Sequence, residues 1–342
     1  METWKAAHML CHFCKNKVRK FGKDRYGNQR YQCLTCRKTF SDIPPKPLGE
    51  MRIPMEDALS VLGLLTEGMS IRASSRRTGV AKDTVISLLV CVGEKCEDFL
   101  ADRLQSIPAK NVQADEIWGW IKMKEKMRVK KGIESEEVGD AYCYVAIERK
   151  TKLILAWHLG RRDGFNTFVF ISEVEKNTRG RFQLSTDGWA PYQEAIPVIF
   201  ESENRPVDHA VIIKNYGKFE DDHRYSPSEV VGIDKHVCCG NPDLNKACTS
   251  HIERYNLTIR MQNRRMTRLT NAFSKKWANH AAAFALQFAT YNFITPHGTL
   301  TKNSGDAGER IKTTPAMAAG LTDHPWTMEE LLLEMTKLST QS

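Results

Sequence analysis

Three carboxylates stand in settings that suit metal chemistry. Asp115 lies inside Val112-Gln113-Ala114-Asp115-Glu116-Ile117-Trp118, and Asp187 follows Leu184-Ser185-Thr186 and precedes Gly188-Trp189. Glu253 lies in Ser250-His251-Ile252-Glu253-Arg254-Tyr255-Asn256. The first two runs read as strands and the third as a helix, so folding must gather the acids. Carboxylates suit Mg²⁺ or Mn²⁺ because hard cations take oxygen ligands and keep positions for water and phosphate. Two such ions about 3.5–4 Å apart stabilise both the attacking and the leaving oxygen of an in-line displacement at phosphorus. Asp115 is expected to bridge both ions, with Asp187 and Glu253 each holding one. Glu116 alternates to the opposite face of its strand and is expected either to support the ligands from behind or to be structural. Asn256, one turn after Glu253, shares its face and is expected to orient substrate or water. Singly, each acid has a plainer reading, Asp187 as a turn residue before Gly188 and Glu253 as an ordinary helical acid. The expectation rests on the three together.

A second constellation is made of sulfur. Cys11-x-x-Cys14 is followed after eighteen residues by Cys33-x-x-Cys36. Each pair fits a knuckle that points two sulfurs the same way, and two knuckles complete the closed four-thiolate site of structural Zn²⁺. So small a module has little core, so the metal is expected to supply much of its folding energy. The other six cysteines are scattered. His236, Cys238, Cys239 and Cys248 could form a further metal site, but their spacing is irregular; a mobile loop that contacts DNA is the reading taken for that segment.

The chain has 342 residues, enough for two or three domains, and a formal net charge of +9. The excess is uneven: residues 1–52 carry twelve Lys/Arg and four Asp/Glu, and residues 254–276 carry seven Lys/Arg and no acid. A polyanion partner follows, since each cation set on a phosphate releases a condensed counterion. With no run of eighteen apolar residues and a mixed polar start, a protein without membrane contact is expected, cytoplasmic and associated with the nucleoid.

The elements that position these groups can be read in order. Residues 1–42 form a zinc ribbon, and 43–54, with Pro44, Pro45 and Pro47, a stiff linker. Residues 55–108 read as three helices. Ser70 is the expected N-cap of the second helix, and Thr78-Gly79-Val80 a tight turn. The third helix is expected from Lys82 to Cys96, with Val85, Leu88, Leu89 and Val92 inward. Ala73, Gly79 and Val85 have the spacing of a helix-turn-helix. Lys82, Asp83, Thr84 and Ser87 would then face the groove, and Arg72, Arg76 and Arg77 would reach phosphates. The plainer reading is a three-helix bundle without DNA.

From 109 to 300 the order is three antiparallel-looking strands, a helix, a strand, a helix, a strand and a long helix. A polar insertion spans about 214–247. That is the order of an RNase H-like mixed-sheet fold, in which the first and fourth strands are neighbours, so the chain is expected to be multidomain α/β. Arg260, Arg264 and Arg268 are four apart and are expected to stack on one helix face beside the acids. Trp277, Ala281, Phe284, Phe288 and Tyr291 repeat as a core stripe. Residues 301–342 form a tail whose last helix, Glu329 to Leu338, could serve in a dimer.

In this order, the ribbon, the helix-turn-helix and the acids resemble an insertion-sequence transposase of bacteria or archaea, of the insertion-sequence-one type. Its most specific parts are the four cysteines, Ala114-Asp115-Glu116-Ile117-Trp118, Thr186-Asp187-Gly188-Trp189-x-x-Tyr192 and His251-Ile252-Glu253-Arg254-x-Asn256. Tyr291-Asn292-Phe293, His297 and Thr314-Pro315-Ala316 are similar too. The resemblance implies a DDE transposase that binds terminal inverted repeats of double-stranded DNA. It would use Mg²⁺ to free 3′ ends and join them to target DNA. Two ends must meet in one complex, so at least a homodimer is expected. The alternative is a DNA-binding regulator whose RNase H-like domain is catalytically idle.

Overall fold

The computed structural model describes residues 10–11, 13–25, 27–41, 46–217, 229–304 and 309–338. Tyr26, Pro44, Pro45, Asp221, Asp222, His223 and Pro227 lie outside the described residues. The chain divides into two compact units, Met1–Pro47 and Leu48–Ser342.

The first unit is a three-stranded antiparallel sheet of β1 (Val18–Lys23), β2 (Gln29–Cys33) and β3 (Thr39–Ser41) in that order. Its apolar content is small. Tyr31 is buried and stacks on Phe40 at 6.0 Å between ring centroids, beside the buried Cys11 and Cys33.

The second unit begins with α1 (Met55–Thr66), α2 (Ile71–Thr78) and α3 (Lys82–Arg103). The Ser70 hydroxyl accepts from Ala73 N–H at 3.1 Å and so caps α2, as its position implied. Gly79 closes α2 at φ 76°, a conformation glycine adopts without steric cost. Val85, Leu88, Leu89 and Val92 are buried along α3, and the helix runs past Cys96 to bury Phe99 and Leu100 as well. The linker ends early: Leu48 is buried in the core, and its carbonyl lies against Cys91 Sγ on α3.

Next come β4 (Ile107–Pro108), β5 (Asn111–Ile121), α4 (Glu125–Lys130), β6 (Gly139–Glu148) and β7 (Ile154–Gly160). They are followed by α5 (Gly164–Asn177), β8 (Thr178–Arg179), β9 (Phe182–Thr186), α6 (Ala190–Ser202), β10 (Val207–Tyr216) and β11 (Val230–Cys239). The main sheet has the order β11-β10-β9-β5-β6-β7, with β5, β6 and β7 antiparallel and β9 parallel to both β5 and β10. β4 and β8 form a separate parallel pair. The insertion expected to be a loop across 214–247 instead contains β11, which pairs antiparallel with β10 at the sheet edge. Most of β11 is exposed, so its sequence lacks the apolar alternation of a half-buried strand.

The chain ends with α7 (Ser250–Gln262), α8 (Trp277–Phe293), the short pair β12 (Lys302–Ser304) and β13 (Glu309–Ile311), α9 (Pro315–Ala318) and α10 (Met328–Leu338). Helices α5 and α6 cover one face of the sheet, and α7 and α8 the other. Every residue of α8 from Ala282 to Phe293 is buried. The sheet accounts for one side of it, where Phe288 meets Trp157. The other side is closed by α3. A Cβ on Gly93 would come within 2.4 Å of Ala282 Cα, so the two helices touch backbone to backbone. One continuous core therefore joins the helical segment to the sheet. The apolar side of α10, Leu331, Leu332 and Met335, is buried in that same core against α1 and α3. Among the described residues no helix is long and apolar enough to cross a membrane.

Candidate active site

Two clusters of metal-ligating side chains occur among the described residues. The first is the four cysteines. The Sγ atoms of Cys11, Cys14, Cys33 and Cys36 lie within 4.8 Å of one another, with Cys14 to Cys33 at 3.4 Å and Cys11 to Cys36 at 3.6 Å. Each knuckle turns its backbone N–H groups onto sulfur: Phe13 N–H points at Cys11 Sγ, and Thr35 and Cys36 N–H at Cys33 Sγ. Lys15 and Arg37, each just after the second cysteine of its pair, take positive φ (55° and 59°) to close the knuckles. Burial opposes ionisation of Cys33, but the N–H groups of Cys36 and Thr35, together with the Cys14 and Cys36 thiols, outweigh it and bring the thiol down to about 6. Four convergent sulfurs with N–H donors behind them suit a tetrahedral thiolate-bound ion. His236, Cys238, Cys239 and Cys248 form no such group.

The second cluster is acidic. Asp115 sits mid-way along β5, opposite Val145 of β6, and Asp187 directly follows β9. β9 pairs with β5 only from Asn111 to Gln113, so its end brings Asp187 level with Asp115. Carboxylate oxygens of Asp115, Glu116 and Asp187 all lie within 4.8 Å of one another. Glu116 thus comes close to both aspartates, which strand alternation alone does not lead one to expect. Its side chain does leave from the other face, toward α5 and α6, but beyond Gln113 the β9-facing edge of β5 has no ladder partner. Acids from both faces can meet around that edge.

Glu253 does not join this trio. It lies on α7 and shares an open cleft with Asp115, Glu116, Asn256, Arg260 and Arg268. Its Oε1, however, accepts from Thr249 Oγ1 at 2.6 Å and pairs with Lys214 of β10. Asn256 does reach the centre: its Nδ2 donates to Asp115 Oδ2 at 2.9 Å. The remaining oxygen, Asp115 Oδ1, accepts from Glu116 N–H at 2.9 Å, and Asp187 Oδ1 accepts from Trp189 N–H at 3.0 Å. Asp115 and Asp187 are thus each fixed in orientation by hydrogen bonds from neighbouring groups.

Their charges are costly to hold together. Burial, then the charges of Glu116 and Asp187, push Asp115 up to about 7. Burial, then Asp187, push Glu116 up to about 7 as well. The buried Tyr192 hydroxyl faces the buried Glu116 carboxylate, and its hydrogen-bonding influence, with that of Arg162, works against the upward push of burial. Arg162, on the loop between β7 and α5, was not expected here. Its Nε lies 3.2 Å from Glu116 Oε2 and its Nη2 3.4 Å from Asp187 Oδ2. No periodicity marks it, since it lies in the turn Gly160-Arg161-Arg162-Asp163-Gly164.

The expected arginine stripe is broken. α7 ends at Gln262, Arg264 falls in a 3₁₀ turn, and Arg268 lies in the loop beyond. Arg260 and Arg268 still line the cleft with the acids. Burial, with Arg268 beside it, lowers Arg260 to about 10. Arg264 faces a different hollow, beside Leu65, Met69 and Leu286. On the helical segment Arg72, Arg76, Arg77, Lys82, Asp83 and Ser87 are exposed, and Thr84 is half-buried.

Compared with protein-family models and with curated proteins, the chain matches none.

Proposed function

We propose that this chain is a divalent-metal-dependent enzyme that cuts and joins DNA strands, a DDE-type transposase with an RNase H-like core. One observation carries the reading: oxygens of Asp115, Glu116 and Asp187 converge within 4.8 Å, from the middle of β5 and the end of β9. The strand order β7-β6-β5-β9-β10 supports the RNase H-like assignment, since it sets the first and fourth long strands side by side.

The donors fit Mg²⁺ or Mn²⁺. All are hard oxygens, and burial with mutual repulsion raises Asp115 and Glu116, a cost that a bound cation would relieve. Asp115, Asp187 and Glu116 would hold it, with Glu253 at the cleft rim. The ion would supply a Lewis acid for phosphodiester displacement. Asn256 fixes the Asp115 carboxylate, and Arg260 and Arg268 offer cations to DNA phosphates entering the cleft. The four-thiolate group would hold Zn²⁺ in a DNA-binding ribbon. The exposed Arg72, Arg76, Arg77, Lys82 and Ser87 of α2 and the first turns of α3, with the half-buried Thr84, would hold the duplex at the terminal inverted repeats. Joining two ends calls for at least a dimer on DNA.

The test is strand release in Mn²⁺ or Mg²⁺ from a duplex carrying the DNA that flanks this reading frame. Wild type should free 3′ ends, while Asp187→Asn should bind the duplex and leave it uncut. Equal cutting by both would remove Asp187 from the site. Binding without cutting by wild type, with metal present, would leave a DNA-binding regulator instead.

A further inference from the structure

Arg162 pairs with two of the three acids that would hold a metal ion. Its guanidinium reaches Glu116 Oε2 and Asp187 Oδ2, two acids of the cluster, at 3.2 and 3.4 Å. It also lies 4.1 Å from the centroid of the Trp189 ring. The backbone on either side is pinned. Arg161 donates to the Val138 and Glu136 carbonyls, and its own carbonyl accepts from Tyr144 Oη at 2.8 Å. Asp163 caps α5 through Asn166 N–H at 2.8 Å. What can move is the Arg162 side chain, which is about one-third exposed.

A guanidinium and a divalent cation compete for these carboxylates, because their charges repel at short range. Once displaced, the side chain has a flat aromatic surface beneath it and an open hollow beside it, lined by Asp163, Phe165 and Asn166. The planar fork that fits a carboxylate also fits a phosphate, and stacking on an indole holds its plane. We propose that Arg162 is the resident counter-ion of the metal-free site, displaced by the incoming divalent ion and transferred along Trp189 to a DNA phosphate. The proposal rests on the metal-dependent reading above. It makes metal and DNA binding mutually reinforcing: each favours the state in which Arg162 has left the acids.

The experiment is a Mn²⁺ titration of the full chain followed by electron paramagnetic resonance, with and without a short duplex. Wild type, Arg162→Ala, Arg162→Lys and Asp187→Asn are compared. Without DNA, Arg162→Ala should bind Mn²⁺ tighter than wild type by a coupling-sized factor, about tenfold. Duplex should tighten Mn²⁺ binding to wild type and do so much less for Arg162→Ala. Arg162→Lys, which keeps the charge and loses the fork, should fall between, and it carries the test if circular dichroism shows Arg162→Ala unfolded. Equal or weaker Mn²⁺ binding by the folded Arg162 variants overturns the counter-ion role, and an undiminished DNA effect overturns the transfer to phosphate. Absence of Mn²⁺ binding in wild type and both Arg162 variants, or wild-type binding by Asp187→Asn, overturns the metal reading itself.

Discussion

Asn256 Nδ2 donates a 2.9 Å hydrogen bond to Asp115 Oδ2, tying α7 to the middle of β5. The other Asn256 atom, Oδ1, is buried without a partner, so the amide is committed to the carboxylate. Groups that orient a ligand typically account for 10–100-fold in metal affinity. Asn256→Ala should therefore weaken Mn²⁺ binding by about that factor with an unchanged circular dichroism spectrum. Unchanged affinity would mean that Asp115 is held well enough by Glu116 N–H alone.

Glu116 and Glu253 compete for the place of third acid. Glu116 lies within the oxygen cluster, while Glu253 is engaged by Lys214 and Thr249. In the absence of DNA, Glu116→Gln should cost more Mn²⁺ affinity than Glu253→Gln. The reverse order in isothermal titration would show that Glu253 leaves Lys214 once the ion binds.

The acids also set a pH dependence. Asp115 and Glu116 are raised to about 7 when folded, against 3.8 and 4.5 for free carboxyls. Between those values the folded chain keeps protons that the unfolded chain has released. Their contribution to stability therefore falls as pH rises from about 4 to about 7. Buried neutral histidines work the other way: His209 and His280 are lowered to about 4 and about 3 by burial and lose stability as pH falls below 6.5. A difference between variants isolates the acids. In EDTA, Asp115→Asn should gain in Tm over wild type from pH 5 to pH 8, and Mn²⁺ should abolish the gain. A pH-independent difference would mean that Asp115 ionises as an ordinary carboxyl.

For the ribbon, Cys33→Ser removes a buried sulfur that accepts from two N–H groups. Wild type should carry one equivalent of zinc by atomic absorption and the variant none. Proteolysis should then cut the variant faster within residues 13–41. Zinc retained at full content would contradict the four-thiolate site.

Much of this architecture was legible because its signals are local. The apolar runs of β5, β6, β7 and β9 report burial on both faces, and the Cys-x-x-Cys pairs report the four-sulfur cluster directly. Ser70 and Gly79 announced the ends of α2. What could not be read was set by exposure or by edges. β11 is a largely exposed edge strand, and α4 has no buried residue, so neither carries an apolar period. Glu116 does leave from the other face, but its approach to Asp115 and Asp187 around the unpaired edge of β5 could not be read from alternation, which assumes a strand flanked on both sides. Arg162 acts through a turn that reaches the acids only in three dimensions. The Arg260, Arg264 and Arg268 series kept helical spacing in sequence, but α7 stops at Gln262.

The enclosure of α8 has a consequence for how DNA would be measured. α3 lies on α8 at Gly93, and α8 lies on the sheet that carries Asp115. The exposed first turns of α3 and the carboxylates are thus two marks on one ruler, with no tether between them. On the proposed reading, a duplex held at Lys82 and Ser87 presents its cut site a set number of base pairs away. Inserting half a helical turn between the two would turn the scissile phosphate to the far side of the duplex, out of reach of the acids.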